Sequence, residues 1–203
     1  MALVDRFAER AVADQHGVAT AEIRQLIDAT YRVIAASGRF DPPIRAILAE
    51  AGLSNPAFYR HFQSKDELML VMLDEGRRQL VDYLAHRTAA VPDEREKLAE
   101  WVRGVLAQAA DPQAARRTRP FVTEVERLHE QFPAEQEASE RQLIGQLADL
   151  LGERSAWAIT IYTLVFGELE RHLRSEAAPT PADVERVVAF VLAGSDAPWG
   201  ADA

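Results

Sequence analysis

Residues 52–68, GLSNPAFYRHFQSKDEL, crowd six kinds of hydrogen-bond donor into a short span: the Ser54 hydroxyl, the Asn55 amide, the Tyr59 phenol, the Arg60 guanidinium, the His61 imidazole and the Lys65 ammonium. Donors at this density suit anionic oxygens. Tyrosine and histidine are short and stiff enough to fix a phosphate, and asparagine or arginine can read adenine or guanine edges with paired hydrogen bonds. Catalysis is poorly supplied by comparison. There is no HExxH, GxSxG, P-loop or GxGxxG, the five histidines are scattered, and the absence of cysteine removes thiol nucleophiles and thiolate metal sites. Glu168 and His172 stand four apart on a helix but read as a surface pair rather than metal ligands. No catalytic residue, metal or cofactor is expected.

The elements that must hold these donors follow from punctuation. "PIRAILAEA" reads as a two-turn helix, with Asp41 as its cap and Pro42 and Pro43 in the first turn; Gly52 stops it in the left-handed conformation. "NPAFYRHF" reads as a second short helix, capped by Ser54 or Asn55. Ser64 and Glu67 then form a capping box that opens a long helix, running to about Ala89. Ile44, Ile47, Leu48 and Ala51 face inward, with Leu53, Phe58 and Phe62 closing the wedge. Two short helices around a glycine turn have the form of a helix-turn-helix, spanning about 44–62. Lys65 adds a separate indication, because a cation in a helix's first turn opposes the dipole by roughly 0.3 to 1 kcal/mol. Asp66, Glu67 and a bound phosphate would together offset that.

The ordered set Ala51, Gly52, Ser54, Tyr59, His61, Phe62, Ser64, Lys65 and Leu68, with "LIDATYRVIAASG" before it, resembles the TetR family of bacterial one-component transcriptional repressors over about residues 22–70. The resemblance implies that Tyr59, His61 and Lys65 contact phosphates. Ser54, Asn55, Ala57 and Arg60 would face phosphate or base edges, and Arg45 joins the DNA-binding set. Three positions depart from the family pattern. Pro56 stands where glycine is common, Pro43 replaces the usual threonine, and Leu48 takes the place of a small alanine; these bear on operator sequence and affinity.

No stretch alternates apolar and polar residues for long, whereas helical spacing recurs throughout, so the fold class is all-α. Helices are expected at 20–37, opened by Thr20 and closed by Gly38, and beyond Pro92 at about 93–110, 113–118, 120–131, 134–151, 154–175 and 181–193. The final "GSDAPWGADA" reads as frayed, and Arg6 and Arg10 as a frayed start or an arm on DNA. Residues 1–65 hold eight Lys/Arg against seven Asp/Glu, leaving fifteen against twenty-five downstream, within a net charge of −9. A near-neutral head on an acidic body suits a DNA-binding tip on a carrier. The domains are therefore set at 1–64, DNA-binding, and 65–203, ligand-binding and dimerising.

The helix "AWAITIYTLVFGELERHL" is apolar nearly all round, which fits burial on two sides. A homodimer is expected through it and the last helix, with Trp157, Ile161, Leu164, Val184, Val188 and Val191 at the interface; the family implies a four-helix junction there. It also implies a small-molecule pocket, for which Met69, Met72, Trp101, Phe121, His129, Tyr162 and Phe166 offer a lining suited to an apolar effector. "ARRTRPF" reads as a solvated helix end. With no secretory-type leader and no apolar run long enough to span a bilayer, a cytoplasmic protein with no membrane partner is expected. The expected function is a ligand-responsive repressor of a palindromic operator. A helical ligand-binding or interaction protein with a weakened head is the alternative.

Overall fold

Gly52 adopts φ 65° and ψ 27°, and its N–H together with that of Leu53 returns to the carbonyls of Ala49 and Leu48, the paired bonds of a Schellman turn. That turn ends the first short helix where the sequence puts a glycine. The structure, a computed structural model, describes residues 3–37, 41–122 and 124–196. Among them all regular structure is helical, in the order α1 (Leu3–Ser37), α2 (Ile44–Ala51), α3 (Asn55–His61), α4 (Lys65–Ala89), α5 (Glu94–Ala110), α6 (Pro112–Val122), α7 (Val125–Gln131), α8 (Pro133–Leu151), α9 (Ala158–Ser175) and α10 (Pro181–Asp196). The chain divides into two compact units, Met1–Met72 and Leu73–Ala203, with the division inside α4 rather than at its start.

In the head, α1 packs on α2 and α3. Leu26, Ala29, Thr30 and Ile34 form its buried stripe, Ile47, Leu48 and Ala51 that of α2, and Ala57, Phe58 and Phe62 the wedge. Leu48 is therefore a core residue, and the Gln25 amide ties α1 to the end of α2 by donating to the Ala51 carbonyl at 2.6 Å. Ile44 and Leu53 are only half-buried.

The body is organised on α5, which packs against α6, α8, α9 and α10. Its Leu98, Trp101, Val102, Val105 and Leu106 are buried, and apolar residues on several faces are what a helix contacted from several sides requires. Gly104 lets α4 approach: a Cβ there would lie 2.6 Å from the Leu84 side chain. Leu143, Leu147 and Leu151 of α8, Ile161, Val165 and Leu169 of α9, and Val188 and Val191 of α10 complete the core. Asp93 caps α5 by accepting from the Glu96 N–H at 2.8 Å, and Thr180 with Asp183 closes a capping box on α10.

Several boundaries differ from the sequence reading. Helix α1 runs through Thr20, so that residue is no cap. Gly38, the side chains of Arg6 and Arg10, and residues 197–203 lie outside the described residues, while the stretch up to Asp196 is helical. Pro43, not Asp41, is the N-cap of α2, and it offers no side-chain acceptor. Pro120 sits inside α6, and the break falls at Glu124, which caps α7. A proline removes one N–H, but it ends a helix only when neighbouring contacts do not hold the turn, and here Phe121 and Val122 are buried just beyond it. The expected single helix over 154–175 is a 3-10 stretch at Gly152–Trp157 followed by α9.

Candidate nucleic-acid interface

The short helix α3 is built to present one face. Ser54 is its N-cap, accepting the Ala57 N–H at 3.4 Å, and Pro56 occupies the first turn beside it. Because the cap serves Ala57, the N–H that Pro56 lacks is one the helix would not use internally. Ala57 and Phe58 anchor the inner face, and the Phe58 and Phe62 rings lie 5.5 Å apart. Asn55, Tyr59 and Arg60 are on the outer face; Tyr59 is 58% exposed, with its ring held edge-on to Phe58 at 5.2 Å. Burial of one face thus fixes the orientation of the other.

Burial corrects one expected contact. Ala57 belongs to the wedge and its methyl is buried, so it does not reach a base edge. Arg45 on α2 and Asn55 are exposed, whereas His61 and Lys65 are half-buried. The capping box at the start of α4 is present in modified form: the Ser64 hydroxyl accepts the Glu67 N–H at 3.2 Å, and the Glu67 carboxylate accepts the Gln63 N–H at 2.6 Å.

The basic groups are not left to solvent. His61 Nε2 lies 2.6 Å from the Glu22 carboxylate, and Arg60 Nη2 reaches both oxygens of the same group at 3.3 Å. The hydrogen bond from His61, aided by the charge of Arg60, holds the Glu22 carboxyl below its ordinary value of 4.5. Lys65 is tied to the Asp41 carboxylate, which is the role Asp41 takes instead of capping. The Arg60 side chain and the Asp41 carboxylate are exposed, so those pairs contribute little stability and can exchange partners at small cost, while the His61–Glu22 pair is more enclosed. Glu22 was not singled out from sequence. It lies 39 residues from His61, and only the packing of α1 beside α3 brings them together.

In the body, Trp101 and Phe121 are buried, and Tyr162 and Phe166 are half-buried with rings stacked at 4.3 Å; Phe166 lies 6.4 Å from Trp101. Met69 and Met72 are buried residues of the head unit. His129 is exposed on the outer side of α7, where only Leu128 turns inward, so it does not line an interior. Among the expected dimer residues, Ile161, Val188 and Val191 are buried in this chain's own core, because the inward faces of α9 and α10 pack on α5. Trp157, Leu164 and Val184 are half-buried against the same core. The large apolar residues those helices leave outside are Ile159 at 65% exposure and Phe190 at 67%.

His172 is buried rather than superficial. Its Nδ1 lies 2.8 Å from the Ala177 carbonyl and fastens the end of α9, while Glu168 pairs with Arg171 at 2.6 Å. Within "ARRTRPF", Arg116 and Arg117 are exposed, but Arg119 donates to the Leu173 carbonyl at 3.0 Å. Among the described residues no cluster of three or more His, Asp or Glu is placed to hold a metal, and no helix is long and apolar enough to cross a membrane.

Comparison with known proteins converges on the same segment. Residues 26–72 match the model of the bacterial regulatory proteins of the tetR family. Over 54 residues the chain is 42% identical to an HTH-type transcriptional regulator of Haemophilus influenzae; the overlap is 26% of each chain, so this chain spans about a quarter of the length of that curated relative. The solved structure of the fatty acid degradation regulator FadR from Bacillus halodurans matches 84% of this chain and 94% of its own, at TM-score 0.63 and 22% identity. AibR, solved in complex with isovaleryl coenzyme A and operator DNA, matches 85% and 97%, at TM-score 0.58 and 14% identity. These structural likenesses speak to the fold, and the likeness to the TetR family of bacterial regulatory proteins is carried by the head, over residues 26–72.

Proposed function

We propose that the chain is a ligand-responsive, sequence-specific DNA-binding transcriptional regulator, a repressor released from a palindromic operator by a small effector. The observation that carries this reading is the outer face of α3, where Asn55, Tyr59 and Arg60 stand exposed on a helix whose inner face is locked by Ala57 and Phe58. A rigid helix with readable side chains is what the major groove admits. Tyr59, His61 and Lys65 serve the phosphates, with Arg45 alongside, and Ser54 acts chiefly as the cap that sets the helix entry. Residues 1–64 act as the DNA-binding domain and 65–203 as the ligand-binding and dimerising one. AibR, bound at once to operator DNA and a coenzyme A ester, makes such coupling a precedent for this fold.

Two-fold pairing places two recognition helices about one turn of DNA apart, roughly 34 Å. Ile159 and Phe190, exposed on α9 and α10, support a homodimer through those helices. Trp157, Leu164 and Val184, half-buried on the chain's own core, would join that interface. The protein works in the cytoplasm, where its operator is.

The deciding experiment is a salt titration of binding to DNA flanking the chain's own gene, with random DNA as competitor. A steep fall of affinity with salt, together with preference for an inverted repeat, supports the repressor reading. If no fragment outcompetes random DNA, the head is too weak to read sequence and the chain is a helical ligand-binding or interaction protein.

A further inference from the structure

Buried polar atoms nearly always find a partner, so each one that does not calls for an explanation, a bound molecule among them. Two of them stand one helical turn apart on α8. Gln136 is fully buried and Ser139 is 6% exposed, and neither the Gln136 Nε2 nor the Ser139 Oγ has a hydrogen-bond partner. The orientation of the amide is determined by its neighbour: Arg77 of α4 donates to Gln136 Oε1, which turns the amide N–H groups away from the guanidinium. Arg77 also donates to the Glu140 carboxylate at 3.1 Å, so its charge is already answered.

A ring cluster lies within electrostatic range of Arg77 and Glu140, the pair beside this turn. Tyr162 of α9 senses the charges of both Glu140 and Arg77, though burial is the main reason its hydroxyl stays protonated. Its ring stacks on Phe166, and Phe166 leads to Trp101. Glu170, the third charge that Tyr162 senses, pairs with Arg174 at 3.9 Å, so the place offers rings, unsatisfied donors and charges that are each answered. An anion would meet Glu140 and a cation would meet Arg77, whereas a neutral molecule carrying an oxygen acceptor satisfies Gln136 and Ser139 without disturbing the pair.

Resting on the reading of the body as the effector-binding half, we infer that the effector is a small neutral carbonyl- or hydroxyl-bearing compound whose oxygen accepts from Gln136 Nε2 and Ser139 Oγ while its apolar part lies against Tyr162 and Phe166. This departs from a purely apolar effector held by His129 and the methionines. Donors without an internal partner make discrimination steep, since a ligand lacking the oxygen leaves them unpaired still.

The test uses shape-matched pairs: acetophenone against α-methylstyrene, and cyclohexanone against methylenecyclohexane, by calorimetric titration of the full-length protein. The ketone of each pair should bind about tenfold or more tightly than its hydrocarbon, the advantage of meeting a buried donor. Ser139→Ala and Gln136→Leu should each shrink that ratio towards one. Ser139→Ala is the safer variant for folding, and its ligand-free melting temperature should equal or exceed that of wild type, because it removes an unpaired hydroxyl. A drop in melting temperature with no ketone preference identifies an internal water site and overturns the inference. Equal affinity within both pairs, or binding of no member, overturns it as well. Operator affinity is measured in parallel on the same preparations. Loss of operator binding with the ketone preference intact would remove the regulator reading and keep the site.

Discussion

Arg60, His61 and Lys65 of the head each meet a carboxylate from elsewhere in the head, Glu22 or Asp41, and all remain within reach of solvent. In the body the arrangement is reversed: Gln136 Nε2 and Ser139 Oγ are shut in and unpaired, while the charges that stay outside, such as Arg103 with Glu96 and Glu185, are paired with each other. Surface pairs exchange partners at small free-energy cost, and buried unpaired donors do not. Under the proposed function, the head would serve reversible capture of a large anion and the body selective capture of something small.

The largest effect that would separate the two regions comes from their anchors. Phe58→Ala and Trp101→Ala each remove a fully buried ring, and each should cost about 3–5 kcal/mol. Hydrogen exchange should show protection lost in residues 19–72 for Phe58→Ala, with the body retained, and the reverse for Trp101→Ala. Uniform loss throughout the chain in both variants would mean that the two units unfold as one, and the comparison would then be one of surfaces only.

That asymmetry also governs what could be read from sequence. In the head the determinants are local: Gly52 must end α2 because it alone enters the left-handed region easily, Ser54 caps α3 one turn before Phe58, and Ser64 precedes Glu67 by three residues. Each signal lies within the element it controls. In the body the deciding terms are tertiary. Helix α9 is apolar on several sides, so nothing in its own residues says that Ile161 goes in and Ile159 stays out; that is settled by where α5 lies. Pro120 misled for the same reason, and Glu22 was invisible because its partners follow 38 and 39 residues later.

The next effect is on DNA and sharpens the division within the head itself. Asn55→Ala should cost about 1–3 kcal/mol on the preferred operator and little on random DNA, because it removes the proposed base contact from a helix that stays folded. Lys65→Ala should weaken both kinds of DNA alike and lower the slope of log affinity against log salt by about one. Competition binding at several salt concentrations reads both. An unchanged slope for Lys65→Ala would assign that side chain to its structural pair with Asp41 alone.

The smallest effect concerns Glu22, which holds Arg60 and His61 at once. Glu22→Gln keeps a hydrogen-bonding side chain but removes the charge, so Arg60 and His61 are released, and affinity for random DNA should rise by a few-fold while operator preference narrows. The same residue gives a pH signature. Because the folded head holds the Glu22 carboxyl below its ordinary 4.5, the charged form is the one folding favours; its contribution is fully present above that value and fades as pH falls through the lowered one. Urea unfolding of the head should therefore show wild type ahead of Glu22→Gln near neutrality, with the two converging as pH falls through the lowered value. A gap that stayed constant with pH would mean that Glu22 acts through packing rather than charge. The basic face of α3 would then owe nothing to the carboxylate beside it, and the contrast drawn here between exchangeable pairs in the head and fixed donors in the body would have to rest on Lys65 and Asp41.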